Sequence, residues 1–231
     1  MKILYVISSA GIGGAEQVVK QDLLRLSRTT NYQIGLACPS GPLTTLTHNS
    51  NIKHHKCSFS SISSAIIELV DIIRRERYHI VHTNLYLADV AGIIAARLAG
   101  CRIRFSTVHG HNFFYHKSFG ARRLHYVGLK FIFGWPYVLA TRIITPAKTL
   151  VQYLCKSFSP NLSKEKMVVI PNATSVSHDY GFPYPIEPSI CVVANFDIIK
   201  GHDVFFKALP LIHRSRPECK VILIGNGPEL D

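Results

Sequence analysis

Short apolar runs alternate with stretches of helical period from the first residues onward. Lys2 to Ser8 is an apolar run of strand length; Val19, Leu23 and Leu26 then recur at i, i+4 and i+7, one face of a helix from about Ala15 to Ser27. "YQIGLAC" reads as the next strand, closed by the turn residues of "CPSGP". "IKHHKC" is a weaker strand, before a helix in which Ile62, Ile66, Leu69 and Ile73 share a face. "HIVHTN", "RIRFSTVHG", "RIITPA" and "MVVIPN" continue as strands, and "YLADVAGIIAARLAG", closed by Gly100, and "KTLVQYLCKSF" as helices. Such alternation implies parallel strands joined by helical crossovers, hence a doubly wound α/β sheet whose ligands bind beyond the carboxyl ends of the strands.

The composition then shifts. "SVSHDYGFPYPIEPS" carries three prolines and no periodicity, as a linker would. After it "ICVVANF" reads as strand, "GHDVFFKALPLIHRS" as helix and "KVILIGNG" as strand. The expected organisation is a complete Rossmann-like domain over residues 1–185 and the first βαβ unit of a second, incomplete one over 186–231. Two strands and one helix cannot cover both faces of a parallel sheet, so the second domain is expected to be truncated.

Charge narrows the partners. The chain of 231 residues carries a formal net charge of +12. Between Val90 and Lys164 there are eleven Lys and Arg and no Asp or Glu. A surface so one-sided favours phosphates, whether of lipid head groups, nucleotides or nucleic acid. "HNFFYHKSFGARRLHYVGLKFIFGWPY" interleaves basic and aromatic residues, which on a helix would suit an anionic membrane surface or, equally, supply core. Nucleic acid has only the charge in its favour, and no recognition motif supports it. The run "YVGLKFIFGWPYVLA" is too short to span a bilayer, and no secretory signal is read at the start. The six cysteines show no CxxC spacing and read as buried, reduced thiols of a cytosolic protein.

"SSAGIGGAEQVV" places glycines between the first strand and helix. Gly11 and Gly13 begin a dinucleotide fingerprint, but Glu16 stands at the third position and the second strand ends without an acid for a ribose. No GK[ST] follows, which excludes a P-loop. Gly13, Gly14, Ala15 and Glu16 instead resemble the "GGAE" loop of retaining, GT-B fold glycosyltransferases of the family 4 type. "IVHTNLYLADVAGIIAARLAG", "STVHG", "VVIPNAT", "VVANFDIIKGHDVFFKALPLI" and "KVILIGNGPEL" resemble, in family order, later segments of the same enzymes.

The resemblance implies a GT-B architecture and transfer of a sugar from a nucleotide-diphosphate donor, with retention. The implied acceptor is a saccharide or polyprenyl-linked saccharide in polysaccharide or cell-surface glycan synthesis at the inner face of the cytoplasmic membrane. It places Gly13 and Gly14 at the donor diphosphate, His109 at the reacting sugar as the catalytic residue, Lys200 on the diphosphate, and His82 and Glu16 in the cleft. A neutral imidazole at His109 would donate to a hydroxyl or a developing charge. No metal or resident cofactor is expected, since no DxD occurs. Asn195 and Asp197 stand where the family has an arginine, and an aspartate there repels a diphosphate. The family's paired glutamates would lie beyond Asp231. The alternative is a non-catalytic module, derived from such an enzyme, that binds acceptor or membrane.

Overall fold

The computed structural model describes residues 1–29, 31–45, 50–110, 134–158, 162–173 and 187–229. The central part of the basic and aromatic stretch, residues 111–133, and the proline-rich linker at 174–186 lie outside the described residues. The chain divides into two compact units, Met1–Ser175 and Val176–Asp231. This division and the expected one at 185/186 both fall within 174–186.

In the first unit β1 (Lys2–Ile7), β2 (Gln33–Cys38), β3 (Ile52–Lys56), β4 (Ile80–Asn84), β5 (Ile103–Thr107), β6 (Arg142–Thr145) and β7 (Met167–Val169) form one sheet. Its order is β3-β2-β1-β4-β5-β6-β7, and every pairing is parallel. The helices are α1 (Gly14–Thr29), α2 (Ile62–Glu76), α3 (Tyr86–Leu98) and α4 (Lys148–Phe158). The doubly wound sheet read from the alternation of strand and helix is therefore present. A short helix at 134–139 was not legible, because Pro136 and the surrounding aromatics obscure any period.

β1 reads as a continuous apolar run because both of its faces are covered. Leu4 and Val6 point into a cluster with Leu69 and Ile73 of α2 and Ala91 and Ala95 of α3. Ile3, Tyr5 and Ile7 point the other way, into a cluster with Val19 and Leu23 of α1. A third cluster joins Ile143 of β6 to Leu150 and Leu154 of α4 and to Tyr137 of the short helix.

The second unit contains β8 (Ser189–Val193), α5 (His202–Ser215) and β9 (Lys220–Ile224), with β8 parallel to β9. Among the described residues from 187 to 229 only Phe196 and His202 are buried. Val193, Val204, Leu211 and Ile224 are exposed, as expected of a single βαβ unit that cannot cover its own sheet. This corrects one expectation: Cys38, Cys57 and Cys101 are buried, but Cys191 is exposed and Cys155 and Cys219 are half-buried. Cys191 sits on β8, where no second layer covers it.

α3 approaches the sheet closely through small residues. A Cβ on Gly92 would stand 2.6 Å from Thr83 Cγ2 and 3.5 Å from Val6 Cγ1. Alanine would gain about 1 kcal/mol of helix propensity, but Thr83 is held through its hydroxyl and cannot turn aside. Overpacking costs about 1–3 kcal/mol. Gly92→Ala is therefore expected to lower the urea midpoint at unchanged slope, and a raised midpoint would contradict this packing.

Candidate active site

Strand connections run outward in opposite directions from β1 and β4, so a crevice opens beyond their carboxyl ends. β1 delivers the glycine loop to it. Gln17 N–H donates to Gly13 O at 3.0 Å, which makes Gly13 the N-cap of α1. A Cβ on Gly14 would meet nothing within 4 Å, whereas one on Gly13 would lie 2.6 Å from Glu16 Oε2. Glu16 thus folds back over the loop, and it is buried. Its carboxylate lies at the positive end of α1, where an anion is stabilised by about 0.3–1 kcal/mol. A phosphate approaching these amides meets that carboxylate unless Glu16 turns away. The sequence suggested the cradle but not its occupant.

β4 and β5 deliver the other half. Their facing residues alternate between two sides: His82 pairs in register with Tyr5 and Phe105, Asn84 with Thr107, and Thr83 with Ser106. On the α1 side His82 is in the core, with ring centroids 4.7 Å from Tyr5 and 6.1 Å from Phe105. Its Nε2 shares a 2.7 Å hydrogen bond with Thr107 Oγ1. Burial, helped by the charge of His109, pushes its pKa down to about 4. His82 is thus a neutral core histidine next to the crevice.

His109 lies two residues past β5. Its Nε2 is 3.0 Å from Asn84 Oδ1, and because a carboxamide oxygen only accepts, Nε2 carries the hydrogen. Burial holds the pKa of His109 below its ordinary value, against an opposing pull from Glu16. His109 Nδ1 and Asn84 Nδ2 are both enclosed and have no hydrogen-bond partner among the described residues. Asn84 is only 2% exposed.

On the α3 side stands Asp89, 1% exposed. Its Oδ1 accepts from Thr83 Oγ1 at 2.5 Å and Ser106 Oγ at 2.7 Å, and its Oδ2 from Tyr137 Oη at 3.3 Å. These bonds tie α3 to β4, β5 and the short helix at 134–139. Burial pushes the Asp89 pKa up to about 7, and the three hydroxyls, which favour the carboxylate, only partly offset it. Between Asn84 and α3, Leu85 has φ 69° and ψ 151°, a region almost confined to glycine that costs about 1–3 kcal/mol.

The sequence pointed to His109, His82, Glu16, Gly13 and Gly14; the fold adds Asn84, Thr107 and Asp89. One signal was available for Asp89, the lone acid in an otherwise apolar helix. Lys200 belongs to the second unit, exposed at the end of a 3-10 turn over Ile198–Lys200. Gly201 then has φ 69°, and α5 begins. The Phe196 and His202 rings stack at 4.5 Å and 11°, closing the loop that carries Lys200. Phe196 N–H donates to Asn226 O, and a Cβ on Gly227 would collide with Phe196 O, so the loops after β8 and β9 pack backbone to backbone. Among the described residues no three His, Cys, Asp or Glu gather as metal ligands, and no helix is long and apolar enough to cross a membrane.

The model of Glycosyltransferase Family 4 matches residues 12–178, most of the first unit, including Gly13, Gly14, Glu16, His82, Asn84 and His109. The chain belongs to that family. A curated family relative by sequence, the Escherichia coli UDP-Gal:α-D-GlcNAc-diphosphoundecaprenol α-1,3-galactosyltransferase, is 28% identical over 152 residues. That match takes in 63% of this chain and 37% of the relative. Among solved structures, Anabaena HepE with UDP-glucose superposes at a TM-score of 0.72 and 17% identity, covering 98% of this chain and 61% of HepE. The lipopolysaccharide outer core galactosyltransferase WaaB does so at 0.65 and 14%, covering 99% and 62%. S. aureus MnaA with UDP gives 0.63 and 17%, covering 97% and 62%. The GT-B type of fold expected from the glycine loop is thus shared with solved proteins, and the family 4 chain spans less than two thirds of their length.

The pKa of Asp89 gives a signed test of the family 4 crevice. Its folded pKa lies above the ordinary 3.8, so the native state binds the proton more tightly. The stability this confers is present below about 4 and is lost as pH rises to about 7. His82 works in the opposite sense, being lost as pH falls through about 4, but it is common to both proteins compared. Urea unfolding of Asp89→Asn and wild type should therefore differ increasingly in favour of the variant from pH 4 to 7, by on the order of a few kcal/mol, and stay level above. A difference independent of pH would contradict a buried, proton-binding Asp89.

Proposed function

We propose that the chain belongs to a retaining, nucleotide-sugar-dependent glycosyltransferase. It would transfer a sugar to a saccharide or lipid-linked saccharide in polysaccharide or cell-surface glycan synthesis. The observation that carries this is the meeting, at the switch point between β1 and β4, of the glycine loop at the start of α1 with the His109 and Asn84 pair. The family supplies the reaction class, and the likeness to a transferase whose name specifies a diphosphoundecaprenol substrate supports the lipid-linked acceptor.

In this reading backbone amides at Gly13 and Gly14 approach the donor diphosphate, His109 contacts the reacting sugar, and Lys200 offers its ammonium to phosphate. The acceptor oxygen bonds to the sugar's anomeric carbon as the bond to the diphosphate breaks, and the nucleoside diphosphate leaves. A groove of about 420 Å³ at the same end of the sheet, lined by Ser8, Ser40, Lys56 and Ser58 but also by the apolar Phe59 and Leu87, is a candidate place for the acceptor. Fold alone would not choose transfer, because the same architecture serves other UDP-sugar chemistry.

Calorimetry with UDP-sugars on the full-length product of the gene tests this. Saturable binding is expected, weakened about tenfold or more by Lys200→Ala, which is about 1.4 kcal/mol. His109→Ala should keep binding and lower kcat by about 10² or more. The absence of binding to any nucleotide sugar would overturn the reading.

The block from Val90 to Lys164 suits a cytoplasmic, peripheral position on an anionic membrane face that presents the acceptor. Co-sedimentation with phosphatidylglycerol vesicles should be strong at low salt and fall steeply at 0.5 M, as screening requires. Sedimentation unaffected by salt, or none at all, would contradict it.

A further inference from the structure

His109 has two ring nitrogens, and the fold commits one of them. Asn84 Oδ1, 3.0 Å from Nε2, is an acceptor, so Nε2 carries the hydrogen and Nδ1 of the neutral ring is left as a lone pair. Asn84 Nδ2 is left with its hydrogens. Among the described residues both atoms are enclosed and unpaired. Each such group destabilises the fold unless something fills it, and folded proteins contain few of them. Here a donor and an acceptor occur on two residues that bond to each other, next to a leucine in strained backbone at φ 69°. Unsatisfied groups and strain gather where a ligand completes a site.

Building on the sugar-transfer reading, we propose that Asn84 is the positioning residue of His109. Its amide oxygen fixes the Nε2–H tautomer, so that Nδ1 accepts a hydrogen bond from a sugar hydroxyl while Asn84 Nδ2 donates to a sugar oxygen. The ligand chemistry follows from this polarity. A hydroxyl both donates and accepts and so fits the pair, whereas a phosphate or carboxylate oxygen meets the Nδ1 lone pair and is repelled. This reverses the sequence-based expectation that the imidazole donates to a hydroxyl or a developing charge. The donor at this place is the amide of Asn84, and the histidine is the acceptor.

The test uses this chain with ¹⁵N-labelled histidines and long-range ¹⁵N–¹H correlation spectra across pH. Glu16 from α1 and His82 from β4 face the ring in every variant, so differences report position 84. In the wild type His109 should be neutral at pH 7 with Nε2 protonated and Nδ1 pyridine-like. Asn84→Leu should release the tautomer and give a substantial Nδ1–H population. Asn84→Asp should keep Nε2–H, through its acceptor oxygen, and raise the titration midpoint of His109. A wild-type Nδ1–H tautomer, or an Asn84→Leu spectrum identical to wild type, would overturn the proposal. If Asn84→Leu does not fold, an unchanged midpoint in Asn84→Asp overturns it alone. In the full-length gene product Asn84→Leu should lower kcat about tenfold or more, beyond any weakening of donor binding from the lost Nδ2 contact. An undiminished kcat refutes the role of Asn84, whereas absence of donor binding in the wild type refutes the transfer reading and leaves the tautomer assignment standing.

Discussion

One buried carboxyl group holds the working end of the first unit together. Asp89, inside α3, gathers the hydroxyls of Thr83 on β4, Ser106 on β5 and Tyr137 on the short helix at 134–139. A buried acid is expensive unless its lone pairs are filled, and here three hydroxyls fill them. Because strand side chains alternate, the residues next to Thr83 and Ser106 face the other way. His82, Asn84 and Thr107 therefore line the α1 side. The same register that satisfies Asp89 on one face aims the polar apparatus of the crevice on the other.

Neutrality is the common electrostatic outcome in this region. Burial lowers the pKa values of both His82 and His109 and raises that of Asp89. Burial favours the uncharged ring of His109, and Glu16 lies over the glycine loop. A crevice of this kind selects by hydrogen-bond polarity more than by net charge. The eleven Lys and Arg between Val90 and Lys164, with no Asp or Glu among them, set a positive field at longer range.

Much of this was legible before folding was considered. The continuous apolar run of β1 and the period of 3.6 in α1 and α2 located these elements to within a residue or two, and a motif order that no single segment could establish pointed to the family. What escaped detection was tertiary. Asn84 resembles any polar residue ending a strand until β5 brings His109 within 3.0 Å of it. The folding back of Glu16 over Gly13 depends on where α1 starts, and helix starts are poorly marked in sequence. Cys191 looks buried by composition and is exposed, because among the described residues no second layer covers its face of β8. Fold likeness is similarly limited: proteins that share this architecture at 14–17% identity include a galactosyltransferase, a protein solved with UDP-glucose and one solved with UDP. Chemistry has to be argued from the strand ends.

The central claim, that the switch-point crevice takes a nucleotide sugar through the glycine loop, is tested most directly by a crystal structure of the full-length gene product with UDP-glucose or UDP-galactose. The account predicts phosphate oxygens within hydrogen-bond distance of the Gly13 or Gly14 amides, the Glu16 carboxylate turned away from Gly13, and a sugar hydroxyl on His109 Nδ1. A bound donor whose phosphates lie elsewhere, with Glu16 still folded over the loop, would contradict it.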